Sequence, residues 1–260
     1  MSVLTELVAG AEQDAHQRSL HASLASVAAR AEQASAPRDA VAALAGGDRV
    51  KIIAEIKRAS PSRGDLAGIP DPVDLARQYQ AGGASAISVL TEGRAFKGSL
   101  ADLHAVSAAV SVPVLRKDFI VNEYQVFEAR AAGADLVLLI VAALDQETLL
   151  RLHTTIEKLG MTALVEAHSA EEVARAVDVG ARIIGVNARD LATFTLDRDL
   201  FGRVVAGIPA GTIRVAESAV LSPADVAHYR AAGADVVLVG EALVTSDPVQ
   251  TLASFLEAGQ

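Results

Sequence analysis

Arg130-Ala131-Ala132-Gly133-Ala134-Asp135 runs into Leu136-Val137-Leu138-Leu139-Ile140, and the same six residues return as Arg230-Ala231-Ala232-Gly233-Ala234-Asp235 ahead of Val236-Val237-Leu238-Val239. Physically this is a helix stop, a tight turn and immediate entry into a strand, with the glycine free to take a left-handed cap. Looser copies are Ala81-Gly82-Gly83-Ala84 before Ile87-Ser88-Val89-Leu90, and Asp178-Val179-Gly180-Ala181 before Ile183-Ile184-Gly185-Val186. The marker glycines Gly83, Gly133, Gly180 and Gly233 therefore lie 50, 47 and 53 residues apart. That spacing is too long for one strand–helix unit and suits two.

Midway between the markers stand further short apolar runs, Val50–Ile56, Val112–Leu115, Thr162–Glu166 and Thr212–Glu217, which raises the strand count to eight. Segments of helical period separate them, such as Asp71–Ala81, Asn122–Ala132, Gln146–Leu159, Ala170–Val179 and Pro223–Ala232. Near-continuous apolar strands alternating with helices predict a parallel sheet covered on both faces, and eight units closing on themselves predict a (β/α)8 barrel over residues 49–260. An open doubly wound sheet is the alternative, but no glycine-rich dinucleotide fingerprint accompanies the strands. Residues 1–48, with helical spacing at Leu4, Leu7, Leu20, Leu24 and Val27, read as an N-terminal helical extension. It would either plug the barrel bottom or pack on its side, or else cover the active-site end; spacing alone favours the first.

Composition narrows the class further. The 260 residues are 51% hydrophobic and 21% charged, enough for a large buried core and unlike a disordered or fibrous chain. A net charge of −9 with no basic stripe argues against nucleic acid as a partner. The longest strongly apolar uncharged run, Leu136 to Leu144, is less than half of the roughly 20 residues a membrane span needs. Acidic residues at Glu6, Glu12 and Asp14 interrupt the N-terminus, so no signal peptide is read there and a cytoplasmic location is expected. With no cysteine, disulfides, thiolate metal sites and cysteine nucleophiles are excluded. No P-loop is present.

In a barrel the chemistry collects where strands end, so the residues closing each run matter most. The odd strands end in ionisable groups: Glu55 and Lys57, then Arg116 and Lys117, then Glu166, then Glu217 followed by Ser218. The even strands end at Leu90-Thr91, Ile140-Val141, Val186-Asn187 and Val239-Gly240. Glu55 and Lys57 are two apart and share a face, where a charge is costly unless paired. Any one of them could be a rim ion pair; four strands converging this way point to lysines and carboxylates tuning one another for acid–base work. Ser60-Pro61-Ser62-Arg63-Gly64 follows directly and could close over an anion with Gly64 as hinge. The turn at Gly240, together with Ser218, occupies the barrel's usual phosphate position, although Glu241 is an awkward neighbour unless it points away. The six histidines form no i,i+4 pair and read as satisfied or solvated, and Glu166 with His168 alone makes a poor metal site.

Three segments carry a specific likeness. Ala54-Glu55-Ile56-Lys57-Arg58-Ala59-Ser60-Pro61-Ser62-Arg63-Gly64, Leu115-Arg116-Lys117-Asp118-Phe119-Ile120 and Gly185-Val186-Asn187-Ala188-Arg189-Asp190-Leu191 resemble the indole-3-glycerol phosphate synthase family, and the likeness extends over residues 50–245. The resemblance implies a barrel with an N-terminal helical extension that turns 1-(2-carboxyphenylamino)-1-deoxyribulose 5-phosphate into indole-3-glycerol phosphate, carbon dioxide and water. No metal or organic cofactor and no partner protein are implied. Carried over by motif, Lys117 resembles the general acid at the ketone oxygen and Glu166 its acid or base partner. Lys57 would meet the substrate carboxylate and join the later dehydration, and Glu55 would position the lysines or accept a proton. Asn187, Arg189, Glu217, Ser218 and Ser60 match polar contacts, and Phe96, Phe119, Leu138 and Leu191 match the apolar wall of the anthranilate slot.

Two departures bear on the phosphate site of Ser60, Ser218, Ala219, Gly240 and Glu241. The family often has a glycine where Ala219 stands and a serine where Glu241 stands. Main-chain binding tolerates both, and Ala219 is harmful only if its φ must be positive. The chain's end at Gln260, soon after the eighth unit, gives the expectation of no fused isomerase or amidotransferase domain. Of the alternatives, phosphoribosylanthranilate isomerase would call for a cysteine base that is missing, and a non-catalytic phospho-ligand-binding barrel would have no need of charged strand ends.

Overall fold

A computed structural model describes residues 2–190, 193 and 195–260. Eight parallel strands close into a barrel: β1 (Lys51–Ile56), β2 (Ala86–Leu90), β3 (Val114–Lys117), β4 (Leu136–Ile140), β5 (Thr162–Ala167), β6 (Ile183–Asn187), β7 (Ile213–Glu217) and β8 (Val236–Val239). Each pairs with its neighbours in sequence, and β1 closes the ring on β8 through Lys51 opposite Val236. The third strand begins two residues later than the apolar run from Val112 predicts. Pro113 has no N–H to give the ladder, and only its carbonyl takes part, accepting from the Ile87 N–H at 2.9 Å.

Side chains alternate strictly across the barrel wall. Ile53, Leu115, Leu136, Leu138, Leu164, Ile183, Val215 and Leu238 fill the interior. Ile52, Ala54, Val114, Val137, Val165, Ile184 and Val237 face the helix layer. Each fully buried Val, Leu or Ile contributes about 1.5–3 kcal/mol in transfer free energy, so both layers contribute to closure. The parity decides function as well, because Glu55, Lys117, Glu166, Asn187 and Glu217 share the interior parity of their strands.

The covering helices include α4 (Pro72–Ala81), α5 (Leu100–Ala109), α6 (Glu123–Ala131), α7 (Gln146–Lys158), α8 (Ala170–Asp178), α9 (Leu200–Val204), α10 (Pro223–Ala231), α11 (Glu241–Val244) and α12 (Pro248–Ala258), numbered after three N-terminal helices. Except at α9 and α11, their starts are capped by short polar side chains; Asn122 and Gln125 form a reciprocal capping box at α6. Four of them, α4, α6, α8 and α10, stop at the repeat's glycines: Gly83, Gly133, Gly180 and Gly233 have φ of 93°, 89°, 78° and 98°. At Gly133 a Cβ would also lie 2.6 Å from Ser107 Oγ, so the position needs glycine twice over.

The N-terminal helices are α1 (Val3–His21), α2 (Leu24–Gln33) and α3 (Ala40–Leu44). Ala40 and Leu44 are buried in the interior cluster with Ile53, Ala86 and Val236, at the end where strands begin, and Arg38 anchors the approach by an ion pair to Asp135 at 2.7 Å. α2 lies along α6 on the barrel's flank. α1 does what spacing alone did not favour and reaches the opposite end. Asp14 pairs with Arg94 in the loop after β2, and Leu4, Leu7 and Val8 pack on the cluster that holds Phe119 and Ile140.

Candidate active site

The first βα unit supplies a cation and an anion together. Lys57 Nζ lies 2.8 Å from Glu55 Oε1, and the Ser88 hydroxyl donates to Glu55 Oε2 at 3.4 Å. Gly240 makes this possible, since a Cβ there would come within 2.7 Å of Glu55 Oε1 and 3.1 Å of Lys57 Nζ. Burial alone would raise the Glu55 pKa, but Lys57 and Lys117 outweigh it and hold the carboxyl below its ordinary value.

Lys117 stands between two carboxylates, with Nζ 3.5 Å from Glu166 Oε2 and 3.6 Å from Glu217 Oε2. Burial disfavours its charge, yet Glu166, Glu217 and Glu55 together raise its pKa above the ordinary lysine value. The two carboxyls then part ways. Burial and the charge of Glu166 push Glu217 well above the usual carboxylate range. Glu166, equally buried, is held low by Lys117, with help from His168 and Asn187. The same cation thus sits between two carboxyls whose proton affinities are driven apart, Glu166 downward and Glu217 upward. Gly185 on β6 leaves the space for Glu217: a Cβ there would sit 2.1 Å from Glu217 Oε1.

Asn187 Oδ1 accepts from the Ser218 hydroxyl at 2.7 Å and the Arg189 backbone N–H at 3.0 Å, which ties the ends of β6 and β7 together. Across the mouth, Arg63 Nη2 meets Glu241 Oε1 at 2.6 Å, so the charge of Glu241 is met by a cation from the first loop. Phe96 and Phe119, with ring centroids 6.2 Å apart, form an apolar side together with Leu138 and Ile140. All residues of the sequence-derived site line one cavity of about 580 Å³, except Leu191, which lies outside the described residues. Among the described residues, no three His, Asp or Glu side chains are grouped to hold a metal ion.

Ser218 and Ala219 have φ of 69° and 57°, so the condition under which Ala219 is harmful is met. Left-handed backbone costs a residue bearing a Cβ about 1–2 kcal/mol, partly offset because glycine is more flexible when unfolded. Ala219→Gly is therefore expected to stabilise the fold by about 0.5–1 kcal/mol, seen as a thermal midpoint higher by roughly 1–4 °C.

Sequence reasoning missed His168, which touches Glu166 from behind at 3.4 Å. The available signal was its place two residues after Glu166, on the same side of the strand.

A closed parallel barrel with paired lysines and carboxylates at one mouth, two of the carboxylates with pKa values shifted in opposite directions, defines a (β/α)8 enzyme built for acid–base chemistry. The family model described as indole-3-glycerol phosphate synthase matches residues 4–255. Among curated relatives, the indole-3-glycerol phosphate synthase of Leifsonia xyli subsp. xyli is 67% identical over 98% of each chain. That of Mycolicibacterium gilvum is 57% identical over 99% of this chain and 95% of its own. The chain belongs to the indole-3-glycerol phosphate synthase family. A solved structure of thiamine phosphate pyrophosphorylase from Pyrococcus furiosus, 15% identical, aligns with TM-score 0.59 over 80% of this chain and 94% of that one, a likeness of fold alone. No helix among the described residues is long and apolar enough to cross a membrane.

Proposed function

We propose that this chain is a carbon–carbon lyase that closes the indole ring of indole-3-glycerol phosphate from 1-(2-carboxyphenylamino)-1-deoxyribulose 5-phosphate. The observation that carries the reading is Lys117, charged, between Glu166 and Glu217 in a cavity with an aromatic and aliphatic wall. The anthranilate ring fits against Phe96, Phe119 and Leu138, and Lys57 meets its carboxylate. The phosphate lies at the Ser218, Ala219 and Gly240 turns, with Ser60 across from them. Holding both ends of the substrate brings the ring carbon onto the ketone carbon.

As that bond forms, the ketone oxygen gains charge and Lys117 gives it a proton, leaving a hydroxyl. The carboxylate then departs as carbon dioxide, returning its bonding pair to the ring. Loss of the hydroxyl as water takes a proton from an acid, with Lys57 placed for it. A carboxylate removes a proton from the former C1 methylene, with Glu166 and Glu55 in reach of the same space. Glu166, once it has taken that proton, can pass it on and recharge Lys117.

The test is turnover of purified protein on this substrate without added metal, followed by indole fluorescence. Product formation is expected. Measurable binding with no product would overturn the reading in favour of a binding barrel.

A further inference from the structure

The mechanism above leaves unused a largely buried titratable group that touches Glu166. His168, next after β5, has its ring between two carboxylates: Nε2 is 3.4 Å from Glu166 Oε1 and Nδ1 is 3.2 Å from Glu172 Oε2. Its backbone N–H also donates to Glu172 Oε2 at 2.7 Å. The local sequence explains the arrangement. Ser169 caps α8 by accepting from the Glu172 N–H at 3.1 Å, which leaves the Glu172 carboxylate free to reach back past the cap to His168. The ring is only 11% exposed and does not line the cavity, so it meets Glu166 from the side away from substrate.

We propose that His168, held by Glu172, is a positioning residue that keeps the Glu166 carboxylate ionised and turned toward Lys117. Glu166 is then flanked by two cations, Lys117 on the cavity side and His168 behind it. Only the second can lose its charge near neutrality. The groups facing the histidine are Glu166 from β5, Glu172 from α8 and Asp190 from the loop after β6, all acidic. Burial opposes its charge, but these carboxylates outweigh burial and raise its pKa above the ordinary histidine value. Those facing Glu166 are Lys117, Asn187 and Glu217 in addition to His168.

The sign follows. A positive His168 lowers the Glu166 pKa, so removing it raises that pKa, and the acid side of the kcat profile moves to higher pH. The inference rests on Glu166 acting as the acid–base partner of Lys117. Glu166→Gln therefore goes in as its own arm and is expected to lose turnover. His168→Gln is expected to shift the acid limb of kcat upward by about half a pH unit or more, with KM changed less than about twofold. Glu172→Gln, which leaves the ring and its backbone contact in place, is expected to shift it the same way by less. It is also expected to lower the imidazole pKa read by NMR titration. Loss of turnover in Glu166→Gln with no movement of the limb in either partner variant, or a uniform fall in kcat at every pH, overturns the role of His168 alone. Full turnover in Glu166→Gln overturns the reading of Glu166 and this inference with it.

Discussion

Lys117→Ala is expected to lower kcat by about 10²–10⁴-fold, the usual worth of a positioned general acid, while substrate binding stays close to that of the wild type. The separation follows from geometry. Lys117 Nζ faces Glu166 and Glu217, whereas Lys57, the cation assigned to the carboxylate, is held independently by Glu55 at 2.8 Å. Losing Lys117 has a second effect. Glu166 and Glu217 keep their burial and lose their shared cation, so the Glu166 pKa rises and residual activity should have an acid limb shifted upward. Single-turnover kinetics separate binding from chemistry. A variant with wild-type kcat would remove Lys117 from the mechanism, and a variant that no longer binds would make it an anchor for the substrate.

The largest expected loss of stability belongs to a neighbour that faces the other way. Arg116 is 0% exposed on the helix side of β3, donating to the Gln125 carbonyl at 2.7 Å and Asp118 Oδ2 at 2.9 Å, with Glu128 at 3.5 Å. Asp118 also accepts from the Thr91 hydroxyl at 2.6 Å, and Glu128 is gripped by Arg18 of α1 at 2.6 Å. Removing one partner of a buried pair costs about 3–5 kcal/mol because a charge stays behind unpaired. Arg116→Leu should fall at the lower end of that range, since Thr91 and Arg18 remain to the two acids. Urea denaturation reads it as a lower midpoint with an unchanged slope. A shift worth less than about 1 kcal/mol would mean that the network reorganises around the gap. Turnover of the folded fraction should suffer far less than in Lys117→Ala, because the guanidinium points away from the mouth.

The fold was legible because much of its punctuation is covalent: a glycine at positive φ stands between helix and next strand at Gly83, Gly133, Gly180 and Gly233. The site was legible because strand parity is also local, so Glu55 with Lys57, Lys117, Glu166 and Glu217 could be placed on an inner face from the sequence. What stayed hidden depends on distance across the fold. Arg116 reads as one more charge at a strand end until the opposite parity sends it among helices. Glu241 reads as a hindrance until Arg63, from the far side of the mouth, is seen to pair with it. The strain at Ala219 was conditional on a backbone angle that no side-chain pattern discloses. His168 looked bland because its meaning lies in Glu172, a residue that otherwise reads as ordinary first-turn acid on α8.

The three leading helices also impose an order in time. Leu44 of α3 rests in a cluster with Val236 and Leu238, and Arg230 donates to the Gly47 and Asp48 carbonyls just behind it. At about 5–20 residues per second, a ribosome needs roughly 10–40 s after making α3 before β8 exists to receive it. A helix made before any strand, α3, is thus among the last elements to be seated, at the barrel's base. Until then its apolar residues must wait on a growing, unclosed sheet.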